Sequence, residues 1–214
     1  MPLVETEALS TDQRLMEVAE RLFASKGVNA TLVSDIVEGA GQRNPSALRY
    51  HFGSKEGVLK AIVERHQQRV EERRSAIIAG WPAPGPTTSQ DAMQVLVQPL
   101  VDLLADESGR RYLCIVGQII DQLDLDGTTN IGGERPGLVA TIEAMRAQVP
   151  DRRAAVVSSR VQAVILMVAA SLAARARDLL SGGTPAVATP LFNANLVAMG
   201  AAALAAELPE GETP

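Results

Sequence analysis

The chain predicts an all-α protein, and three observations carry that prediction. Aromatic residues are only 3% of the 214 residues while Ala, Leu and Val dominate, which favours helices over a β-sandwich. Apolar residues recur at helical spacing along most of the length, and no stretch alternates with the period of a strand. Gly, Pro and capping residues cut that periodicity into about nine helices.

Ser10 and Gln13 have the spacing of a capping box, and Leu15, Ala19, Leu22 and Phe23 follow on one helical face until Gly27. Thr31 is read as the N-cap of a short second helix through Ile36 and Val37 to about Gly39. Gly41 supplies the positive φ of a tight interhelical turn. Asn44-Pro45 reads as an N-cap with proline at the first helical position, opening a third helix to Tyr50 that Gly53 ends. Ser54 caps a long fourth helix from Lys55 towards Trp81, with Val58, Ile62 and Val63 on its early apolar face.

Residues 82–89 (PAPGPTTS) form a proline-rich joint. Beyond it, Met93, Leu96, Val97, Leu100 and Leu104 mark a helix in which Pro99 is expected to produce a kink. A helix over 110–123 is followed by a long glycine-containing connection at 124–137, then helices near 137–149, 151–181 and 190–208 and an acidic tail. No internal repeat is present. The expected domains are 10–56 and 57–208, joined by the fourth helix at 55–81.

Composition excludes several chemistries. The single cysteine, Cys114, rules out an intrachain disulfide framework and a cysteine-based zinc site. The only histidines, His51 and His66, lie in the first third of the chain, so the C-terminal half cannot build a Ser-His-Asp triad or a histidine metal centre. Asp124-Leu125-Asp126-Gly127 starts like a calcium loop, but position 12 would be Arg135 rather than Glu. No metal, cofactor or catalytic residue is expected, and a helical enzyme using carboxylate acid–base chemistry is a remote alternative. The N-terminus lacks a basic segment and an apolar segment, so it is not read as a signal peptide, and the expected location is a reducing cytoplasm. The longest apolar run, residues 163–174, falls short of the ~20 residues of a bilayer span and reads as a buried helix.

The net charge of −5 argues weakly against nucleic acid, but the charges are unevenly placed. Residues 5–39 carry seven acids and three bases, whereas 40–55 carry Arg43, Arg49 and Lys55 and no acid. A local basic patch is what phosphate contact requires. Three short helices within about 40 residues, with Ala40-Gly41 between the second and third, describe a helix-turn-helix. The first helix closes a small core of Leu15, Leu22, Phe23, Ile36, Val37, Leu48 and Phe52, leaving Arg43, Asn44, Ser46 and Arg49 facing outward.

Residues 19–59 resemble the DNA-binding domain of the TetR (tetracycline repressor) family. The resemblance rests on Ala19, Leu22, Phe23, Gly27, Ala30-Thr31, Asp35-Ile36, Ala40-Gly41, Leu48, His51-Phe52, Ser54-Lys55-Glu56 and Leu59, with the run HFGSKEGVL the most diagnostic part. It covers about a fifth of the chain. By position it implies that Ser46, Ala47 and Tyr50 face the groove, and that Arg49, His51 and Lys55 clamp the phosphate backbone. Thr31 and Ser34 would reach neighbouring phosphates, and Arg43 would either read guanine or hold phosphate. The alternatives are that Thr31 and Ser54 are helix caps only, and that His51 packs beside Phe52. The segment Gln42–Tyr50 is one residue longer than the family's spacing, Arg49 replaces a common tyrosine, and Gly57 replaces an acidic residue that completes a capping box.

The resemblance also implies a C-terminal domain that binds an effector and dimerises through its last two long helices. Residues 161–174 and 190–206 are rich in alanine, with Gly200 among them, and small residues let helices approach closely in a four-helix interface. An intrachain core is the other reading of that pattern. A candidate apolar cavity draws on Met93, Leu96, Leu100, Leu103, Leu113, Val116, Ile120 and Met167, with Gln118, Asp121 and Gln122 as polar groups. Its occupant would be a largely hydrophobic small molecule. The expected partners are therefore a double-stranded DNA operator, an effector and a second copy of the chain, with a protein partner in place of the effector as the alternative.

Overall fold

In the computed structural model, residues 9–42, 44, 46–82, 87–122 and 135–208 are described. Among them the fold is all-α, with nine helices: α1 Thr11–Lys26, α2 Val33–Gly39, α3 Ser46–Phe52, α4 Lys55–Ala79, α5 Ser89–Asp102, α6 Glu107–Ile119, α7 Pro136–Ala147, α8 Ala154–Leu180 and α9 Thr189–Ala205. Short 3-10 turns extend the C-terminal ends of α5 and α6.

The first three helices enclose Leu15, Ala19, Phe23, Ile36, Val37 and Leu48, with Leu22 and Phe52 half-buried around them. The capping box at Ser10 and Gln13 is present in full, and Gly41 holds a φ of 68° in the turn before α3. Asn44 Oδ1 accepts the Ser46 amide at 2.9 Å, as a cap requires. Two readings are corrected here. α3 ends at Phe52 rather than Tyr50. The residue before α2 is Leu32, with no side-chain cap, because Thr31 is fully buried and its hydroxyl donates to the Gly27 carbonyl at 2.8 Å.

Gly57 departs from an acidic residue for a steric reason. A Cβ at that position would lie 1.9 Å from the Phe52 carbonyl oxygen, so the turn into α4 admits only glycine. Ser54 still caps α4, accepting the Gly57 amide at 3.2 Å.

α4 packs on α1 and α3 at its start and on α5 and α7 further along. In the remainder α6 lies along α8 and α5 along α9. α5 carries Thr88 as a capping-box residue with Asp91 and continues on both sides of Pro99. Close approach depends on small residues: a Cβ at Gly117 would stand 2.5 Å from Ala173, and one at Gly200 would stand 2.3 Å from Met93. Gly200 therefore serves the contact between α9 and α5 within one chain.

The run at 163–174 belongs to a longer helix than its own length suggests. α8 spans 27 residues, is long and apolar enough to cross a bilayer, and has a third of its most apolar window buried inside the chain. Its buried face, with Val161, Val164, Ile165, Val168 and Leu172, packs towards α6. A second stripe, with Ala163, Ala170 and Ala174, is exposed.

Candidate nucleic-acid interface and effector cavity

α3 is braced from below by Leu48, which is buried, and carries a polar outer face. Ser46, Arg49, Tyr50 and His51 are all exposed, and Asn44 and Ser34 lie exposed nearby. Tyr50 is 85% exposed and stands edge-on to the His51 ring at 5.1 Å. An aromatic side chain held that far into solvent has no packing reason to be there. Ala47 is half-buried against the core, and Arg43 lies outside the described residues.

Two of the residues read as phosphate contacts are committed elsewhere. Thr31 has no exposed surface to offer. Lys55 is a tie rather than a free clamp: its ammonium donates to the carbonyls of Val28 and Thr31 at 3.0 and 3.1 Å, which leaves one N–H for any other partner. Both side chains are engaged for the same reason. The loop between α1 and α2 has carbonyls to satisfy in a half-buried setting, and the nearest donors are used for that.

A cavity opens between α4, α5, α6, α7 and α8. It encloses about 690 Å³ of space between atoms, part of it open to solvent. Leu96, Leu100, Leu113, Val116 and Ile120 line it as expected, joined by Val70, Leu138, Ile165, Val168, Ala169 and Leu172. The polar lining consists of Gln67, Arg74, Tyr112 and Arg135, none of which the periodicity singled out. Arginines on an amphipathic helix read as solvated, and only packing shows otherwise.

The other expected cavity residues lie elsewhere. Met93 packs against Gly200, Leu103 is buried in the turn after α5, and Met167 is half-buried on α8 away from the lining. Asp121 is exposed, and the side chain of Gln122 lies outside the described residues, as does the stretch 123–134. Gln118 faces α1: its amide oxygen accepts the Val28 N–H at 2.9 Å while its nitrogen donates to the Phe23 carbonyl at 3.0 Å. From α6, Gln118 thus satisfies the Val28 N–H just past the end of α1 and adds a second donor to the Phe23 carbonyl, which already accepts the Gly27 N–H.

A second polar joint links α1 to α4 and α6. Glu20 is buried, and its carboxylate receives Arg65 at 2.6 Å, pairs with His66 Nε2 at 2.7 Å, and accepts the Ser108 hydroxyl at 3.0 Å. Burial pushes this carboxyl up, but the His66 hydrogen bond and the Arg65 charge outweigh it and hold the group below its ordinary value. The His66 ring stacks on Tyr112 at 4.5 Å, and the Tyr112 hydroxyl accepts from Gln67 at 2.8 Å. Contact thus runs unbroken from the cavity wall to α1.

Residues 15–62 match the family described as "Bacterial regulatory proteins, tetR family". The chain is similar to the HTH-type transcriptional regulator AcrR of Shigella flexneri, 30% identical over 110 residues that cover 50% of this chain and 47% of that protein. It is also similar to UidR of Escherichia coli K12, at 26% identity over 54% of each chain. The chain thus spans about half the length of the curated relatives it matches. The ketosteroid transcriptional regulator KstR2 of Mycobacterium tuberculosis shares the fold with a TM-score of 0.54 at 18% identity, over 92% of this chain and 96% of that one. A structure from Shewanella sp. PV-4, described as a TetR-family transcription regulator, has a TM-score of 0.55 at 19% identity, covering 91% and 98%.

Proposed function

Because the chain belongs to the TetR family of bacterial regulatory proteins, we propose that it is a ligand-responsive repressor that binds a palindromic operator as a homodimer. Residues 10–56 form the reading head and 57–208 the sensing and dimerising body, with α4 joining them. The observation that carries this reading is the outer face of α3, where Tyr50 and Arg49 stand in solvent on a helix whose other side is fixed by Leu48. Ser46, Tyr50 and Asn44 face base edges, while Arg49, His51 and Ser34 hold phosphates.

The effector occupies the cavity. α6 supplies Tyr112, Leu113 and Val116 to its wall, the turn after it adds Ile120, and through Ser108 and Gln118 α6 also grips α1. A ligand that displaces α6 therefore moves the reading head directly, and α4 tilts with it. Such coupling is reciprocal, so operator DNA weakens effector binding by the factor by which effector weakens DNA binding.

The dimer forms on α8 and α9. Ala163, Ala170 and Ala174 of α8 and Ala194, Ala198 and Ala202 of α9 form exposed stripes at helical spacing. Leu191 and Met199 beside them are 63% and 46% exposed. Apolar helices with an open stripe of small residues suit a four-helix contact about a two-fold axis.

Fluorescence anisotropy on DNA from upstream of the chain's own coding sequence, over a salt series, tests the reading head. Wild-type protein is expected to bind with a steep negative salt slope. Arg49→Ala should weaken binding and make the slope shallower by roughly one unit. Tyr50→Ala should weaken binding and leave the slope unchanged. Salt-independent weak binding, indifferent to both substitutions, would overturn the assignment of α3.

A further inference from the structure

Among the described residues the cavity lining is apolar apart from Gln67, Arg74, Tyr112 and Arg135, and its two charged groups are both cationic. Arg74 is 2% exposed, lines the cavity, and has an Nε with no hydrogen-bond partner. Its Nη1 donates to Glu71 at 2.9 Å, and Glu71 also accepts the Gly137 amide. Arg135, 9% exposed, also lines the cavity and makes no ion pair among the described residues. Burial pulls the Arg74 guanidinium towards losing its proton, Glu71 opposes that, and the nearby Arg135 charge adds to the strain.

Among the described residues, two guanidinium groups thus face one carboxylate in a low-dielectric setting. A buried cation without a counter-charge is costly, and a guanidinium is built to hold a planar anion through paired N–H donors. Of the other wall residues, Leu96, Leu100, Val168 and Leu172 offer apolar contact, and Gln67 and Tyr112 are polar without charge.

We propose that the cavity selects an amphipathic organic acid, with its carboxylate held between Arg74 and Arg135 and its apolar body lying along α6 and α8. This rests on the reading of the cavity as the effector site and adds the charge class of the effector to it. Tyr112, adjoining both Arg74 and the His66–Glu20 joint, is the wall residue that such an acid would press on. The anion end of the cavity is thereby next to the path towards α1.

The test is isothermal titration of the full chain with octanoate, decanoate and phenylbutyrate, each beside the alcohol of the same skeleton. At least one acid is expected to bind roughly tenfold or more tightly than its alcohol. Arg135→Gln should remove that preference while leaving alcohol binding unchanged, and Arg135→Lys should restore part of it. Arg135 borders the cavity rather than the core, and circular dichroism checks that each variant is folded. Ala169→Phe, which fills the bore, should abolish binding of acids and alcohols alike. Equal affinity for acid and alcohol, or a preference that survives Arg135→Gln, would overturn the anion assignment while leaving the cavity as a ligand site. Binding that survives Ala169→Phe, or no binding by any probe, would overturn the cavity reading and the anion assignment together.

Discussion

At position 57 a glycine stands where a carboxylate would ordinarily support the helix start, and the cost of that loss looks small from sequence. The structure reverses the balance. A side chain there would run into the Phe52 carbonyl, 1.9 Å from the first added carbon, so Gly57→Ala is expected to destabilise rather than help α4. The loss should be about 1–3 kcal/mol, the range for overpacked sites, read from the denaturation midpoint. Glu20 was equally silent in the sequence, one acid among many on α1. Its folded-state pKa lies below the ordinary 4.5, so the stability it contributes is complete above that value and is lost as pH falls through the lowered one. Denaturant titrations at descending pH should show wild-type stability dropping in that window. Glu20→Gln should flatten that part of the profile and be less stable by about 1–3 kcal/mol at neutral pH.

At the scale of elements, α6 joins the cavity to α1, and in the proposed function it couples sensing to reading. One side touches the cavity and the other is tied to α1 by Gln118 and Ser108. Gln118→Ala removes the tie to Val28 and Phe23 and leaves the cavity walls untouched. It is expected to preserve effector affinity in the absence of DNA and to reduce the ratio of DNA affinities with and without effector. Anisotropy titrations at saturating and zero effector measure that ratio, and an unchanged value would remove Gln118 from the coupling path. The α1–α2 loop is held in a similar way by Lys55, so Lys55→Ala should lower stability by about 1–3 kcal/mol for the net loss of two hydrogen bonds.

For the whole molecule, the proposed assembly rests on the two exposed alanine stripes. Ala198→Arg on α9 introduces a long charged side chain at an exposed position, where a single chain accommodates it without loss. Sedimentation should then show a shift from dimer towards monomer, with operator affinity falling because only one half-site is held at a time. A variant that stays dimeric and binds as tightly as wild type would place the interface elsewhere.

Helix number, the three-helix core and the outer face of α3 were legible in the sequence, because each depends on local rules: apolar spacing, caps, glycine turns and a basic patch without acids. The resemblance in residues 19–59 added the roles of the exposed residues as expectations. Which side of a helix meets which neighbour was decided only by tertiary packing. Gln118 and Met93 read as cavity residues yet turn to α1 and α9, while Arg74 and Arg135, which the periodicity did not single out, line the cavity. Periodicity tells that a helix has a buried face, but in a bundle several faces are buried against different partners. Side chains three and four residues apart on α6 therefore end in different environments, and that assignment exists only once the helices are packed.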